Sequence, residues 1–350
     1  MQTTKLGQSD LDVSPICLGT MTWGHQNTEQ EGHAQMDLAL EKGVNFWDTA
    51  EMYAVPPTKE TYGTTESIIG SWFAKTGRRK EVILATKISP EMPYIRENNK
   101  IDKTNIIKAV ETSLQRLQTD YIDLYQLHWP TNRGTYHFNN SWAYTPKSTN
   151  KSEILAQKSE VLEALSDLIK AGKIRHWGLS NDTSWGITQY CTLAETQGLS
   201  KPISLQNEYS LLRRRDDADV GETCLLEGIA CIPWSPLAMG ILSGKYLNEQ
   251  MPTGTRFTMS EGAKDRYGYR LTPRVHAATA RYVQLANELN IHPCQLAIAF
   301  CLSRPFITSP IIGATTLEQL TLNLDAINVK LAQETLDAID KINQQHPTPF

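Results

Sequence analysis

Short β-like runs alternate with amphipathic helical runs along almost the whole chain. The pattern predicts eight strands, at residues 16–18, 45–48, 82–86, 121–127, 174–179, 204–207, 230–234 and 307–312. Helical periodicity follows at 29–42, 65–76, 103–117, 152–171, 184–196, 220–227, 273–290 and 317–325. Within 103–117, Ile106, Ile107, Val110, Leu114 and Leu117 recur at the spacing of one helix face. Gly43, Gly172 and Gly198 stand just past their helices as C-terminal stops.

Eight strand-then-helix units predict an α/β fold of the (β/α)8 TIM-barrel type, taken as a single domain over residues 1–350. A doubly wound open sheet is the alternative. It usually carries a glycine-rich first turn, and none of the 21 glycines here are spaced G-x-G. Residues 3–6 and 11–14 flank Gly7-Gln-Ser-Asp10 as a β-hairpin that caps the barrel's N-terminal end. Additional helices are expected at 294–302 and 331–345. Long connections at 54–62 and 131–150 follow the second and fourth strands, on the face where barrel enzymes keep their sites.

Composition narrows the function classes. The chain has 350 residues and a net charge of −4, without the basic stripe of a nucleic-acid binder. Arg213-Arg214-Arg215 runs directly into Asp216, Asp217 and Asp219 and reads as a local ion-pair surface. No apolar stretch approaches the ~18 residues of a spanning helix, and the opening residues have no apolar signal core. No nucleic-acid or membrane partner is expected. The six cysteines form no C-x-x-C pair and no H-E-x-x-H occurs, so no metal site is expected and a reducing cytoplasm fits best.

The chemistry lies in the residues that end the strands. Asp48 closes the second, with Tyr53 five residues on; Lys87 closes the third and His128 the fourth. Polar strand ends are common singly, but in a closed barrel these four converge on one mouth. The set suits proton delivery to a carbonyl oxygen. A tyrosine of pKa about 10 is a poor acid at neutral pH. A neighbouring Lys⁺ lowers that value, while burial pushes it the other way. Asp48 would hold Lys87 charged, and His128 would place the oxygen against Tyr53.

Several motifs then stand in order. They are Asp48-Thr-Ala-Glu-Met-Tyr53, Lys87, Leu127-His128, Gly172-Lys-Ile-Arg-His-Trp-Gly-Leu-Ser180-Asn181, Gln206-Asn-Glu-Tyr, Trp234-Ser-Pro-Leu-Ala-Met-Gly240-Ile-Leu-Ser-Gly-Lys245 and Gly313-Ala-Thr-Thr-Leu-Glu-Gln319. Together they resemble the aldo-keto reductase superfamily across nearly the whole chain. The likeness is greatest to the bacterial Tas-like proteins, near the potassium-channel β-subunit branch. The resemblance implies a reductase acting on a small-molecule aldehyde or ketone, with NADPH/NADP as cofactor. Tyr53 would be the general acid, tuned by Lys87 and Asp48, with His128 orienting the carbonyl.

For the cofactor, the resemblance implies that Ser180, Asn181 and Gln206 meet the nicotinamide carboxamide and Trp234 stacks on its ring. Ser235, Pro236, Leu237, Gly240, Leu242 and Lys245 would line the pyrophosphate. Gly313, Thr315, Gln319 and Asn323 would meet the adenosine end, with Arg256 near the 2′-phosphate. Bland readings stay open for three of these: Gln319 as half of a helix capping box, Trp234 as barrel core, and Arg256 as a solvated loop residue. Trp23 and Trp129, with Tyr136, Phe138, Trp142 and Tyr144, are candidate substrate-pocket walls, or scattered aromatics of the core. The chain departs from the family pattern at Ala54, where a glycine is common, and at Leu322, where the channel-subunit branch is acidic. The same resemblance allows an alternative: a cofactor-binding, redox-sensing or partner-regulating subunit with slow turnover. The natural substrate and the oligomeric state are not encoded in any of these motifs.

Overall fold

The computed structural model describes residues 1–92, 94–96, 100–130 and 150–349. An antiparallel hairpin comes first, β1 (Thr4–Lys5) with β2 (Asp12–Val13). Eight parallel strands follow: β3 (Cys17–Gly19), β4 (Phe46–Asp48), β5 (Ile83–Ile88), β6 (Ile122–Leu127), β7 (Ile174–Ser180), β8 (Ser204–Gln206), β9 (Ala230–Cys231) and β10 (Ile311–Ile312). Their spatial order is β10-β3-β4-β5-β6-β7-β8-β9. The ring closes between β9 and β10 through a Cys231–Ile307 bridge and the bonds Thr308 N–H to Cys231 O and Ile311 N–H to Pro233 O, both 2.8 Å. This is a (β/α)8 barrel.

The helices are α1 (Glu29–Glu41), α2 (Thr64–Thr76), α3 (Lys103–Leu117), α4 (Lys151–Lys170), α5 (Ser184–Gln197), α6 (Asp219–Glu227), α7 (Ala263–Tyr267), α8 (Pro273–Glu288), α9 (Pro293–Leu302), α10 (Leu317–Leu324) and α11 (Gln333–Gln345). They start where the side chains say they should. Thr28, Asp102, Asn150, Thr183, Thr272 and Thr316 each cap a first turn by accepting a backbone N–H. The helix α7 was not anticipated. The seventh and eighth strands are shorter than the runs 230–234 and 307–312, because Pro233 and Pro310 have no N–H to give a ladder.

Two hydrophobic layers result. One lies between strands and helices, with Trp47, Trp72 and Phe73 packed ring to ring. The other fills the barrel: Cys17, Phe46, Ala85, Leu124, Ala230 and Ile311, sealed below by Leu6, Leu11 and Val13 of the hairpin. The hairpin therefore caps the N-terminal end. Gly7 turns it at φ +58°, where a Cβ would strike the carbonyl of Ile203.

Side chains alternate along a strand with period two. Two residues above Phe46, Ala85 and Leu124 the inward positions are Asp48, Lys87 and Gln126, and register pairs Lys87 with Gln126 and Ser180 with Gln206. The apolar plug thus carries a polar layer directly on top of it. Among the described residues no helix is long and apolar enough to cross a membrane. All six cysteines are unpaired and buried.

Candidate active site

The polar layer is built around one carboxylate. Lys87 is fully buried, and its Nζ donates to Asp48 Oδ2 and to Thr49 O, each at 2.7 Å. Asp48 Oδ1 accepts from Gln126 Nε2 at 3.0 Å and from Gln206 Nε2 at 2.8 Å. Gln206 Nε2 also donates to Gln126 Oε1 at 3.1 Å. Burial is the largest single influence and lowers the pKa of Lys87, but the charge and hydrogen bond of Asp48, with help from Tyr53 and Cys17, together outweigh it and raise the pKa.

Tyr53 lies over this pair. The Lys87 Nζ is 5.0 Å from its ring centroid, and the His128 ring stands edge-on at 6.0 Å. Asp48, Tyr53, Lys87 and His128 therefore do converge. The balance on the phenol is the opposite of one set by Lys87: burial raises its pKa more than Lys87 lowers it. Tyr53 enters as a protonated donor. Burial, helped by Lys87, drives the pKa of His128 far below its ordinary value, so its imidazole is neutral. Its Nδ1 has no hydrogen-bond partner among the described residues.

Asn181 locks the next strand to this group. It sits at φ +57°, its Nδ2 donates to His128 O at 3.0 Å, and its Oδ1 accepts the Trp234 indole N–H at 3.1 Å. Ser180 Oγ donates to Gln206 O at 2.8 Å. Ser180, Asn181, Gln206 and Trp234 are thus one connected patch beside Asp48 and His128.

Beyond Trp234 the backbone winds through left-handed residues: Ser235 (φ +57°), Ala238 (+48°), Met239 (+60°), Gly240 (+85°) and Gly244 (+82°). Within this turn the N–H groups of Ala238, Gly240 and Gly244 bond to the carbonyls of Ser235, Leu237 and Ile241 at 2.8, 2.9 and 3.0 Å. Pro236, Leu237 and Leu242 lie in the same turn, with Leu242 N–H bonded to Leu237 O at 3.2 Å. Lys245 closes the loop, its Nζ 3.1 Å from where a Cβ on Gly240 would stand, and the φ of +85° at Gly240 is one that side-chain-bearing residues rarely adopt. Burial lowers the pKa of both Lys245 and Arg256, and Arg256 lowers that of Lys245 further. Among the described residues neither cation has an acidic partner. Lys245 and Arg256 are thus two desolvated cations that repel each other beside this turn.

At the far end, Gln319 Oε1 accepts from both N and Oγ1 of Thr315 at 3.1 Å, while Thr316 caps α10. Gln319 thus grips Thr315 and leaves the reciprocal half of a capping box unmade. Asn323 Nδ2 reaches Gly313 O at 3.4 Å. Asn27, not anticipated as part of the site, donates to Thr315 O at 2.9 Å.

The aromatic walls fare differently. The structure places Trp23 in the core: its indole is fully buried and donates to Gln35 Oε1 of α1 at 3.2 Å. Trp129 follows His128 and is partly exposed. Tyr136, Phe138, Trp142 and Tyr144 lie outside the described residues. Gln126 was missed as a site residue. Its signal was its inward parity, two residues from both Leu124 and His128.

Fold and site together define a (β/α)8-barrel oxidoreductase. The model of the aldo/keto reductase family matches residues 15–344, and the chain belongs to that family, whose members use nicotinamide cofactors. It is 38% identical over 353 residues to the protein named Protein tas of Escherichia coli (strain K12), covering 100% of this chain and 99% of that one. An uncharacterized oxidoreductase, YrpG of Bacillus subtilis (strain 168), is 33% identical over 347 residues, with 98% and 96% covered. A probable voltage-gated potassium channel subunit beta of Arabidopsis thaliana is 31% identical over 352 residues, with 99% and 98% covered.

Proposed function

We propose that this chain reduces an aldehyde or ketone to an alcohol with NADPH, and that Tyr53 is the general acid. The observation that carries this reading is the buried Asp48–Lys87 pair, 2.7 Å apart, directly beneath Tyr53 and beside a neutral His128. A bound reduced nicotinamide supplies the hydride. The chain's own residues manage the proton. His128 donates a neutral N–H to the carbonyl oxygen and sets it against the Tyr53 hydroxyl. Tyr53 gives up its proton as negative charge builds on that oxygen, and the fixed charge of Lys87 stabilises the phenolate left behind. A positioned acid of this kind contributes about 10²–10⁴-fold in rate.

The preference for a phosphorylated cofactor draws on Lys245 and Arg256, two cations without acidic partners among the described residues. The patch of Ser180, Asn181, Gln206 and Trp234 would seat the nicotinamide end, and Gly313, Thr315, Gln319 and Asn323 the adenosine end. Partly exposed Trp129 would stand beside the carbonyl substrate. Six unpaired, buried cysteines suit a reducing cytoplasm.

The direct test follows NADPH oxidation across a panel of aldehydes and ketones, with Tyr53→Phe beside the wild type. Turnover should fall by at least about 10²-fold in the variant; undiminished turnover would sink the mechanism. Titration of both cofactors against tryptophan fluorescence should show tighter binding of NADPH than of NADH. The second reading, a redox-reporting subunit with slow turnover, draws on the raised pKa of the Tyr53 phenol and on the name of the Arabidopsis relative. Fast multiple turnover with a carbonyl substrate would exclude it.

A further inference from the structure

Helix α9 begins on a histidine. Pro293 has no N–H, and the N–H groups of Gln295 and Leu296 bond to His292 O at 2.9 and 3.1 Å. That leaves the Cys294 N–H, which donates to His292 Nδ1 at 3.1 Å. In return Gln295 Oε1 accepts the His292 N–H at 3.3 Å, so an imidazole stands where a capping box ordinarily has a hydroxyl. The donor is a backbone N–H, so Nδ1 must carry a lone pair and the ring proton sits on Nε2. Unlike a hydroxyl, this acceptor is lost on protonation, between about pH 5 and 8.

We propose that His292 is an acid-sensitive latch on α9: its neutral imidazole closes the first turn over Cys294, and protonation opens that turn. The protonated ring would set Nδ1–H against the Cys294 N–H, donor facing donor. It would also place a positive charge at the positive end of the helix. Burial disfavours the proton as well and lowers the pKa of His292. The elements packed against α9 carry Arg274, His276, Arg281 and Glu288 on α8, Glu318 on α10, Asp325 just after it, and Lys245 beyond the turn at 238–243. None of these groups opposes or adds to the effect of burial on His292. The folded chain therefore binds this proton less tightly than the unfolded one. The stability that the latch contributes is complete above about pH 6.5 and is lost as pH falls below it.

What the latch closes over is a thiol. Cys294 is 6% exposed, and burial pushes its pKa up to about 11 against the pull of Lys245. Because α9 packs against the turn that leads to Lys245, the opening lies beside that loop.

Two variants bracket the wild type. His292→Asn keeps a cap at every pH, and His292→Ala has none. In thermal unfolding the gap between wild type and His292→Asn should be steady above about pH 7 and widen by about 2 °C on going to about pH 5. The gap between His292→Ala and His292→Asn should stay constant. Every other titrating group is common to the three proteins and cancels in these differences.

The local readout is labelling of the thiols by dithiodipyridine, with the sites located by mass spectrometry of peptides. The rate at Cys294 in wild type, relative to His292→Asn, should rise about fivefold from about pH 8 to about pH 5, the worth of one cap. The other cysteines are buried too and should label alike in both proteins. Parallel unfolding profiles for wild type and His292→Asn, or equal labelling of Cys294 at the acid end, would overturn the latch. A rise shared by all six cysteines would place the opening in the whole fold and overturn it as well.

Discussion

Replacing Lys87 by methionine removes the one ammonium that holds Asp48 and supports Tyr53. Asp48 would keep its two amide donors on Oδ1, at 3.0 and 2.8 Å, and lose the 2.7 Å contact on Oδ2. A carboxylate only 3% exposed would then carry its charge without a counter-ion. Breaking a buried pair from one side costs about 3–5 kcal/mol of stability. The arrangement of donors also says how to restore it. Both amides face Oδ1 and only Lys87 faces Oδ2. In Asp48→Asn/Lys87→Met, the asparagine can turn its carbonyl toward the glutamines and its NH2 toward the methionine.

The double variant should therefore be more stable than Lys87→Met by about 2 kcal/mol, a coupling typical of residues in direct contact. Activity should not return with stability, since neither variant has a cation under Tyr53. Both should remain about 10²–10⁴-fold slower than wild type. Urea unfolding followed by circular dichroism gives the first quantity, and NADPH oxidation at saturating substrate gives the second. A double variant less stable than Lys87→Met would refute the geometry of the carboxylate. A double variant that regains turnover would refute the role of Lys87.

Three further outcomes follow from other parts of the molecule. Burial, opposed by the Asn207 hydrogen bond, pushes the Asp216 carboxyl up from 3.8 to about 7. The folded chain binds this proton more tightly than the unfolded one, so stability should fall as pH rises between those values, by up to about 1.4 kcal/mol per unit. Asp216→Asn should flatten the profile of thermal midpoint against pH in that window, and an unchanged slope would assign the loss to other groups. Lys245→Gln should weaken NADPH and NADH binding alike, by about tenfold, and reduce its salt dependence. A loss confined to NADPH would move Lys245 from the pyrophosphate to the 2′-phosphate. Gly70→Ala should lower stability by about 1–3 kcal/mol, because a Cβ there presses on Arg116 O and stands 2.8 Å from the Leu117 carbonyl carbon, where α2 meets α3. An unaltered unfolding midpoint would mean that the two helices can part without cost.

Much of this was written in local patterns. The helix at 103–117 starts and stops at the predicted residues because an Asp102 cap and a full apolar stripe are both local signals. The strand ends carried Asp48, Lys87 and His128, with Tyr53 close behind, because a barrel turns strand-end position into proximity. Features set by the third dimension were not legible. The seventh and eighth strands are cut short by Pro233 and Pro310, whose effect depends on which neighbour needs an N–H. Trp23 sits near the mouth in sequence and faces the core, because a loop aromatic can turn to either side of its backbone. Gln126 looked like one more polar strand residue; its bonds to Asp48 and Gln206 exist only because register sets it between them. Lys245 and Arg256 are desolvated cations with no carboxylate partner among the described residues, which takes coordinates to see.

The seam between β9 and β10 has a consequence for the chain while it is being made. Strand β3 finds one neighbour early, in β4, but its other side pairs only with Ile311 and Ile312. Ribosomes add about 5–20 residues each second, so one flank of β3 waits on the order of tens of seconds for its partner to emerge. An open strand flank is a template for pairing with another chain. The first strand of the ring to leave the ribosome is thus among the last to be covered on both sides. Arrival of β10 covers that flank of β3 and brings the seam against β9, so the barrel closes in the same step.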